Sequence, residues 1–396
     1  MRILHFIASF FPHARGATHS ALRLAHALRT LGVQSEFLVE DQGPDWRQGG
    51  QYDGFPVRSF TVNHPGKLRK LSGYRKLRRY LRSRRSDFDI VHVHGGDYMN
   101  LLLANLASHW LGAPSLLKIT SDGWDTPDGV RAAKHGRLAL ALYRRLDAVV
   151  AMTSGQAEKC RAWKIPARTK VIPNGVDPDQ FRPALPPEKE ALRQRLGLPA
   201  HGPIMAYGGW LGHGKGTDVL FQTWHDLRQR FPTLNLLLIG NYMGEQNMAQ
   251  SLEGFLEQQG LPGSWARDPH VINVGKISDL APYLQASDLF VFPSRREGFG
   301  TVQIEAMACG LPCVVNELPG VSCDIFPDPS TGLRIANNQV DDFVHACSHL
   351  LDHPDQAAEM GRRARARVIQ HFSPDVVAQK YLSLYQQMLS PNGSAA

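Results

Sequence analysis

Apolar and polar positions alternate in blocks along the first half of the chain. Continuous apolar runs, such as residues 2–10 and 147–152, are typical of strands buried on both faces of a sheet. Between such runs, apolar residues recur at helical spacing: Leu22, Ala25 and Leu28 form one stripe, and Gly32 is a stop signal after it. Strands that alternate with helices predict right-handed crossovers and a parallel, doubly wound α/β sheet.

The same pattern starts again after a stretch rich in proline and charge at residues 182–203, which we interpret as a linker with a short helix. We therefore predict two Rossmann-like domains that face a central cleft, over residues 1–181 and 182–372. A C-terminal helix at about 373–390 is expected to pack back on the first domain. In open α/β sheets, ligands bind at the carboxyl ends of the strands.

Charge is concentrated in one segment of the chain. The formal net charge is +8, and residues 67–85 hold ten Lys or Arg and no acid, so that the rest has 34 basic and 36 acidic residues. Leu71, Tyr74, Leu77 and Leu81 lie at helical spacing within it. The segment is either an ordinary surface helix or a site for an anionic partner such as a membrane surface, and we favour the second. Nucleic acid is disfavoured, because no recognition motif accompanies the charge.

Composition excludes several classes of protein. With 43% hydrophobic and 20% charged residues, the chain can bury large cores, and no apolar run reaches the roughly 18 residues of a membrane span. His5 interrupts the first apolar run, which favours a buried strand over a signal peptide. Five cysteines without zinc-site spacing predict reduced thiols. We expect a cytoplasmic protein, with peripheral contact to the inner face of the membrane as a further option.

A glycine-rich stretch at residues 207–220, YGGWLGHGKGTDVL, nearly matches the phosphate loop of ATPases. Gly209, Gly214 and Lys215 have the right spacing, but Gly216 stands where a Ser or Thr should hold magnesium. The stretch predicts phosphate binding of another kind.

A second loop carries the strongest chemical pattern, in residues 293–312, PSRREGFGTVQIEAMACGLP. A strand ends there, a glycine loop with Glu297 follows, and a helix that contains Glu305 begins. N–H groups at a helix N-terminus hold anions or sugar hydroxyls. Two carboxylates eight residues apart without histidine partners suit a polyol better than a hydrolytic metal.

This loop resembles the E-x7-E pattern of the retaining family-4 glycosyltransferases of GT-B architecture. Other segments resemble the same family in the same order: the N-terminal glycine loop and helix with Gly16, the strand at 89–95, the segment 174–183 and the stretch around Lys215. The resemblance covers nearly the whole chain.

The resemblance implies a role for each matching position. Glu305 would bind the ribose hydroxyls of a nucleotide sugar, and Glu297 would face the donor sugar. Lys215 would neutralise the departing diphosphate, and His94 would lie against the donor sugar; His94, Glu297 and Lys215 are thus the expected catalytic residues. The remaining donor contacts are expected from backbone groups, at Gly16, Gly298, Phe299, Gly300, Thr301, Gly275, Lys276 and Ile277.

The chain departs from the family at Trp210, where an arginine that contacts phosphate is usual. His213, Arg295 and Arg296 are candidates to replace that arginine. Asp122 and Trp124, on a loop expected at the cleft, are candidates for acceptor contact together with Trp210, although turn formation explains the aspartates equally well. For His92, a hydrogen-bonded position in the core is favoured over a metal site formed with His94.

We thus predict a retaining glycosyltransferase that moves a hexose-type sugar from a nucleotide diphosphate sugar to a glycan, lipid-linked or small-molecule hydroxyl. No cofactor and no metal are expected. The alternative is a catalytically weakened, nucleotide-sugar-binding partner protein of the same fold. An epimerase or phosphorylase is disfavoured by the E-x7-E loop, and a plain membrane or nucleic-acid binding module would not need that loop.

Overall fold

The computed structural model describes residues 1–11, 16–40, 50–60, 67–165, 168–241 and 251–390, with side chains omitted at 67–71. These residues form two compact units. Unit 1 comprises Met1–Gly175 and Pro374–Ala396, and unit 2 comprises Val176–Ser373. Each unit is built on its own sheet.

The sheet of unit 1 has the strand order β3-β4-β2-β1-β5-β6-β7-β8 in the described ranges. All pairings are parallel except that of β3 with β4, which is antiparallel at the edge of the sheet and was not predicted. The central strands read as continuous apolar runs because both of their faces are covered. The strands are β1 (Arg2–Ile7), β2 (Gln34–Glu40), β3 (Gly50–Tyr52), β4 (Phe55–Phe60), β5 (Ile90–His94), β6 (Ser115–Lys118), β7 (Ala148–Ala151) and β8 (Thr169–Val171).

Helices cover both faces of this sheet. The helices of unit 1 that precede Gly175 are α1 (Gly16–Thr30), α2 (Lys67–Ser83), α3 (Tyr98–Leu111), α4 (Pro127–Ala132), α5 (Gly136–Tyr143) and α6 (Ser154–Ala162). One core joins apolar residues of α2, α3, α5 and α6 to Val91, Val93 and Leu117. A second core lies on the other face, where Leu24 and Leu28 of α1 pack with Ile90 and Leu116. Consecutive strand residues therefore serve opposite cores.

Apolar residues in 131–146 have the spacing typical of one helix, but the structure has a break in this range, since α4 ends at Ala132 and α5 begins at Gly136. His135 has a left-handed backbone conformation with φ 65°, and α5 starts at the next residue. A residue in that region interrupts the helical hydrogen-bond pattern, which explains the break between α4 and α5.

Unit 2 has a wholly parallel sheet of strand order β11-β10-β9-β12-β13-β14 within the described residues. Its strands are β9 (Ile204–Gly208), β10 (Asn235–Ile239), β11 (Val271–Gly275), β12 (Leu289–Phe292), β13 (Cys313–Asn316) and β14 (Leu333–Ile335). Its helices are α7 (Pro186–Leu196), α8 (Thr217–Arg228), α9 (Leu252–Gln258), α10 (Ala281–Gln285), α11 (Thr301–Ala308), α12 (Ser322–Ile325), α13 (Val340–Asp352) and α14 (Pro354–His371).

The boundary between the units lies after Gly175, not after residue 181 as the sequence suggests. Residues just past Gly175 are bonded into unit 2, since Val176 N donates to Phe372 O at 2.9 Å and Arg365 donates to Phe181 O at 2.9 Å. The interpretation of residues 182–203 as a linker is also wrong in part, because Arg193 of α7 is buried and its guanidinium donates to Asp288 at 2.6 Å.

The last helix, α15 (Pro374–Leu389), belongs to unit 1. Its Tyr381 and Tyr385 are fully buried in the core that contains Leu24 and Leu28 of α1. The chain thus returns to its first unit to complete that unit's core.

Across the described residues, every helix is too short or too polar to cross a bilayer.

Candidate functional site

The predicted site residues of unit 2 gather where its sheet changes direction. From β9 the chain proceeds through β10 and β11 on one side, and from β12 through β13 and β14 on the other. The loops that follow the adjacent strands β9 and β12 therefore emerge side by side at the carboxyl edge of the sheet. Such a switch point is where open α/β sheets bind ligands. Lys215 lies on the first loop, and Glu297 lies on the second.

The glycine loop after β9 is tightly packed against the loop after β12. Gly216 has φ 66°, and a Cβ atom there would lie 1.8 Å from Pro293 O. The hydroxyl-bearing residue of an ATPase phosphate loop would therefore clash at this position, which explains the glycine physically. Arg295 N donates to Gly214 O at 3.0 Å and fixes the two loops together.

Lys215 and Glu297 form the central ion pair of this edge. Lys215 Nζ lies 2.6 Å from Glu297 Oε1, and the side chains are 21% and 10% exposed. Ser294 Oγ donates to the same carboxylate oxygen at 2.9 Å, and Lys215 Nζ also donates to Arg296 O at 3.3 Å. A cation and a carboxylate are thus held together at the surface of the switch point, each by several contacts.

Arg295 is engaged within the loops. Its guanidinium donates to both carboxylate oxygens of Asp218 at 2.6 and 2.7 Å, and to His213 O at 2.7 Å. Burial opposes ionisation of Asp218, yet the hydrogen bonds and charge of Arg295 hold the pKa of its carboxyl below the usual range. Of the three candidates to replace the family arginine, Arg295 therefore clamps the loops, whereas His213 and Arg296 have exposed side chains.

Trp210 lies just after β9 with 51% of its surface exposed, which is unusual for an indole. Its carbonyl accepts a hydrogen bond from Tyr207 Oη at 2.7 Å. The backbone of Trp210 is thus anchored while its ring faces solvent.

The E-x7-E segment forms a loop and the first turns of α11. Gly300, the residue before the helix, has φ 76°, a left-handed backbone conformation that favours glycine. The Phe299 side chain is buried, with its ring 6.0 Å from that of Phe372. Gly298 and Thr301 border the loop, and Glu305 is half-buried two residues after the buried Gln303. First-turn N–H groups of α11 point toward this loop.

The third predicted donor segment follows β11. Gly275 ends that strand in a left-handed conformation with φ 65°, and its carbonyl accepts from Gly240 N at 2.9 Å. Lys276 is exposed and Ile277 is partly buried. Since β11 lies two strands from β9, this segment shares the carboxyl edge with Lys215 and Glu297.

In unit 1 the chain also reverses direction, between β1 and β5. His94 ends β5 with only 3% of its surface exposed, and its Nε2 lies 3.1 Å from Nδ1 of His5 on β1. His5 in turn lies 3.2 Å from Ser35 Oγ through its Nε2. The His94 side chain is thus packed inside unit 1, and the structure confirms the core position of His92, whose Nδ1 lies 2.8 Å from Tyr385 Oη.

The three histidines form a neutral stack. Burial lowers the pKa of His5 to about 3 and lowers the pKa values of His92 and His94 well below the usual range. Their ligand nitrogens lie within 4.8 Å of one another, which makes them the group in the described ranges able to hold a metal ion. Both ring nitrogens of His5 are engaged, with His94 and with Ser35, so a metal that used His5 would have to displace one of these contacts. Within the described part of the chain, His92 Nε2 and His94 Nδ1 are buried without a hydrogen-bond partner.

A second buried cluster lies under α1, the helix that Gly16 begins. Lys118 at the end of β6 donates to Ser20 Oγ and to Asn174 Oδ1, both at 2.7 Å. Burial, and then the charge of Arg23, lower the pKa of Lys118 to about 7. Segment 174–183, which resembles a segment of the family, is thus tied to α1 through Asn174.

The loop after β6 is organised by a buried carboxylate. Asp125 accepts hydrogen bonds from the backbone and hydroxyl groups of Thr120 and Ser121, at 2.6–3.2 Å. Burial raises the pKa of Asp125, and these hydrogen bonds oppose the shift. Asp122 pairs with Lys159 at 2.5 Å, and Trp124 is 79% exposed.

Sequence reasoning missed several residues of these clusters. His5 lies 89 residues from His94 and Asp218 lies 77 residues from Arg295, whereas Ser294 is three residues from Glu297. The sequence did hold a signal for His5. It lies on a strand predicted to be central, and His92 and His94 lie two residues apart on another such strand. Nothing local marks Asp218 as the partner of Arg295.

Comparison with known proteins places both halves of the chain. Residues 188–367 match the family model of glycosyl transferases group 1, and residues 15–175 match that of the glycosyl transferase 4-like domain. The chain is 31% identical over 246 residues to a D-inositol 3-phosphate glycosyltransferase of Xylanimonas cellulosilytica, which covers 61% of this chain and 57% of the relative. It is 30% identical over 255 residues to an alpha-maltose-1-phosphate synthase of Mycolicibacterium smegmatis, covering 61% and 63%. The chain thus spans less than two thirds of the length of these relatives.

Solved structures agree over nearly the full length. The chain is similar to Anabaena Alr3699/HepE in complex with UDP and glucose, with a TM-score of 0.77 and 22% identity over 98% of this chain and 99% of the other. Sucrose-phosphate synthase from Thermosynechococcus elongatus gives a TM-score of 0.77 at 21% identity, over 98% of both chains.

Proposed function

The chain belongs to the family-4 glycosyltransferases of GT-B fold, and from this membership we propose that it transfers a hexose-type sugar from a nucleotide diphosphate sugar to an acceptor hydroxyl with retention of configuration. The observation that carries the proposal is the contact of Lys215 with Glu297 at the switch point of unit 2. That site offers a cation to a diphosphate and a carboxylate to sugar hydroxyls, beside a helix N-terminus.

In the proposed reaction, the bond between the anomeric carbon and a diphosphate oxygen breaks. The acceptor oxygen bonds to the anomeric carbon on the face that the diphosphate leaves, and the acceptor proton passes to the departing diphosphate. Lys215 stabilises the charge that develops on the leaving group, a type of interaction that is strongest in a partly desolvated site. Its side chain is 21% exposed, which meets that condition.

Glu297 and Glu305 divide the donor between them in this proposal. Glu297 is fixed by Lys215 and Ser294 and accepts hydrogen bonds from the donor sugar. Glu305, within α11, accepts from the ribose hydroxyls, as acidic residues do in dinucleotide folds. Backbone groups at Gly298 to Thr301 and at Gly275 to Ile277 complete the donor site.

The acceptor is proposed to be a glycan, a lipid-linked sugar or a small polyol. Support comes from the relatives, whose names include a D-inositol 3-phosphate glycosyltransferase and a monoacylated phosphatidylinositol monomannoside mannosyltransferase from Corynebacterium glutamicum. These names share a polyhydroxylated acceptor.

A panel of nucleotide sugars tests the proposal, scored by thermal shift and by release of nucleotide diphosphate. Glu305→Ala should weaken nucleotide binding by roughly 1–3 kcal/mol, because it leaves polar ligand groups unpaired. Glu297→Ala should reduce turnover more than nucleotide affinity. Equal nucleotide binding by the Glu305→Ala variant and the parent would remove the ribose assignment, and a parent that turns over no nucleotide sugar would contradict the proposed function.

A peripheral contact with an anionic membrane through α2 extends this proposal. Leu77 and Leu81 of α2 are buried in the core of unit 1, whereas Arg75, Arg78, Arg79 and Arg82 are exposed. One stripe of α2 therefore packs inward and the basic residues point outward, which suits anionic headgroups. Each basic residue near such a surface contributes about 1 kcal/mol, screened by salt.

Liposome flotation measures this contact. Flotation should require acidic lipid and fall with salt, and charge reversal of Arg75, Arg78, Arg79 and Arg82 should abolish it. The matched control reverses four exposed arginines of unit 2, namely Arg195, Arg230, Arg362 and Arg363. If both quadruple variants float like the parent, α2 is an ordinary surface helix.

The second candidate function is a catalytically weakened nucleotide-sugar-binding partner. One observation favours it: Trp210 replaces the family arginine, and Arg295 is already held by Asp218. The two candidates differ in turnover and share nucleotide binding, so the same panel separates them.

A further inference from the structure

The loop that joins β6 to α4 is held by side-chain hydrogen bonds and by backbone packing. The carboxylate of Asp125, with 3% of the residue exposed, accepts from the backbone N–H and the hydroxyl of both Thr120 and Ser121. Tyr143 Oη donates to Asp125 O at 3.1 Å. Such a satisfied, buried polar network makes a loop rigid.

Two glycines of neighbouring elements pack directly on this loop. A Cβ at Gly129 of α4 would lie 1.3 Å from Gly123 O, and a Cβ at Gly96 would lie 2.9 Å from Asp125 O. Backbone therefore touches backbone on two sides of the loop. Close packing of this kind leaves the loop little freedom to rearrange.

On this rigid loop, Trp124 has 79% of its surface exposed. Within the described residues, no other large apolar side chain is more exposed. Because the loop is firmly held, it presents the ring to solvent. A rigid aromatic ring gives a large contact area to a ligand at little cost in conformational entropy. The loop follows β6, at the carboxyl edge where α/β sheets bind ligands.

We propose that Trp124 is a stacking platform for a hexose ring of the acceptor, and that Asp122 accepts hydrogen bonds from that ring's hydroxyls. The inference rests on the proposed glycosyl transfer. The apolar C–H face of a pyranose matches a flat indole, and its hydroxyls at the rim match a carboxylate. Asp122 keeps acceptor sites beside its ion pair with Lys159, because a carboxylate has about four.

The charge around Trp124 favours a sugar over a bilayer. Asp122 and Asp128 flank it within four residues on either side, and Asp128 accepts from Trp163 Nε1. Carboxylates beside an inserted indole would be repelled by anionic headgroups. The α2 segment, by contrast, has no acid among its residues.

Saturation-transfer NMR tests the platform without requiring turnover. The probes are methyl α-D-glucopyranoside, methyl α-D-mannopyranoside and maltose, mixed with the full-length parent or a variant. The parent should transfer saturation to the ring protons of at least one probe. Trp124→Ala should reduce that transfer about tenfold, the size that stacking of a flat ring on an aromatic side chain gives elsewhere, and Trp124→Phe should keep most of it.

Leu138→Ala is the matched control, because Leu138 is an exposed apolar residue of α5 in the same unit, with 52% of its surface exposed. It should match the parent. Thermal unfolding of each variant checks that folding is unchanged.

The inference is overturned if no probe receives saturation from the parent, or if Trp124→Ala transfers as much as the parent. It is also overturned if Trp124→Ala keeps saturation transfer and loses vesicle flotation, which would make the indole a bilayer anchor. A parent that binds the glycosides and turns over no nucleotide sugar would contradict the proposed function and leave the platform supported.

Discussion

The carboxyl edges of the two sheets are built alike and charged differently. In unit 1 the side chains that end β5 and β6 are buried: His94 stacks with His5 and His92, and burial lowers the pKa of the Lys118 amine to about 7. In unit 2, Lys215, Glu297, Arg295 and Asp218 are partly exposed and form ion pairs. The buried groups of unit 1 favour a rigid surface. The ion-paired side chains of unit 2 can exchange their protein partners for a charged ligand.

The physical reason for this contrast is solvation. Full burial disfavours the charged form of a group, so the histidines of unit 1 lose their protons. Lys215 and Glu297, by contrast, are only partly buried and form an ion pair. The cation of unit 2 is therefore accessible enough to contact a diphosphate.

The largest expected effect concerns acid. A histidine whose folded pKa is lowered contributes stability that is complete above its unfolded pKa of about 6.5 and is lost as pH falls toward the folded value. Each of the three buried histidines should lower the free energy of unfolding by about 1.4 kcal/mol for each pH unit below 6.5. Urea unfolding of the full chain at pH 7.5, 6 and 5 should show this loss.

Two variants sharpen that test. The ring of His5 stacks on Phe37, so a phenylalanine can take its place. His5→Phe should therefore reduce the slope of stability against pH. His109→Phe, at an exposed position of α3, should leave that slope unchanged. Hydrogen exchange should place the acid-induced opening in β1 and β5 before β9 and β12. An equal slope in the parent and in His5→Phe would contradict the claim that the buried histidines of unit 1 cause the loss of stability in acid.

A smaller effect is expected for the cation of unit 2. Lys215→Ala should lower kcat by about 10²–10³-fold, the range for loss of one group that stabilises developing charge. Arg195→Ala, an exposed cation of α7, is the control and should keep parental turnover. Parental kcat in Lys215→Ala would show that the leaving group takes its charge from elsewhere.

Trp210→Arg should have an effect of about tenfold. If the half-exposed indole shapes the site, arginine should cut kcat/KM by roughly tenfold or more, since 1.4 kcal/mol suffices for that. We favour this outcome because the other donor positions are intact. A gain in activity and tighter binding of nucleotide diphosphate would instead identify Trp210 as a degraded arginine and the chain as a weakened enzyme.

No effect is expected from chelation. Lys215 is proposed to supply the positive charge at the diphosphate, so sugar transfer measured after exhaustive EDTA treatment should equal that of untreated protein. Loss of activity that added manganese restores would reveal a metal requirement and would break the assignment of that charge to Lys215.

Much of the architecture follows from local pattern. Alternating apolar runs and helical stripes predict two α/β sheets, because strands buried on both faces must be apolar throughout. The first strand is an example: β1 (Arg2–Ile7) is almost wholly buried, as its composition predicts. The E-x7-E segment is likewise local, since one loop and one helix contain it.

The break between α4 and α5 and the antiparallel edge strand were not predictable from these patterns. His135 is an ordinary residue in the sequence, and only its left-handed backbone ends one helix and starts another. β3 has three residues, too few for a periodic pattern.

The sequence by itself determined the two-sheet architecture, the family and the loops that carry Lys215 and Glu297. Only the tertiary structure decided which side chains meet. Lys215 and Glu297 are 82 residues apart, and His5 and His94 are 89 apart, so their contacts depend on strand order and not on spacing along the chain. The same holds for exposure: Trp124 and Trp224 are both tryptophans, and one is 79% exposed while the other is buried. An apolar strand predicts its own burial, but the burial of a single tryptophan depends on the packed fold around it.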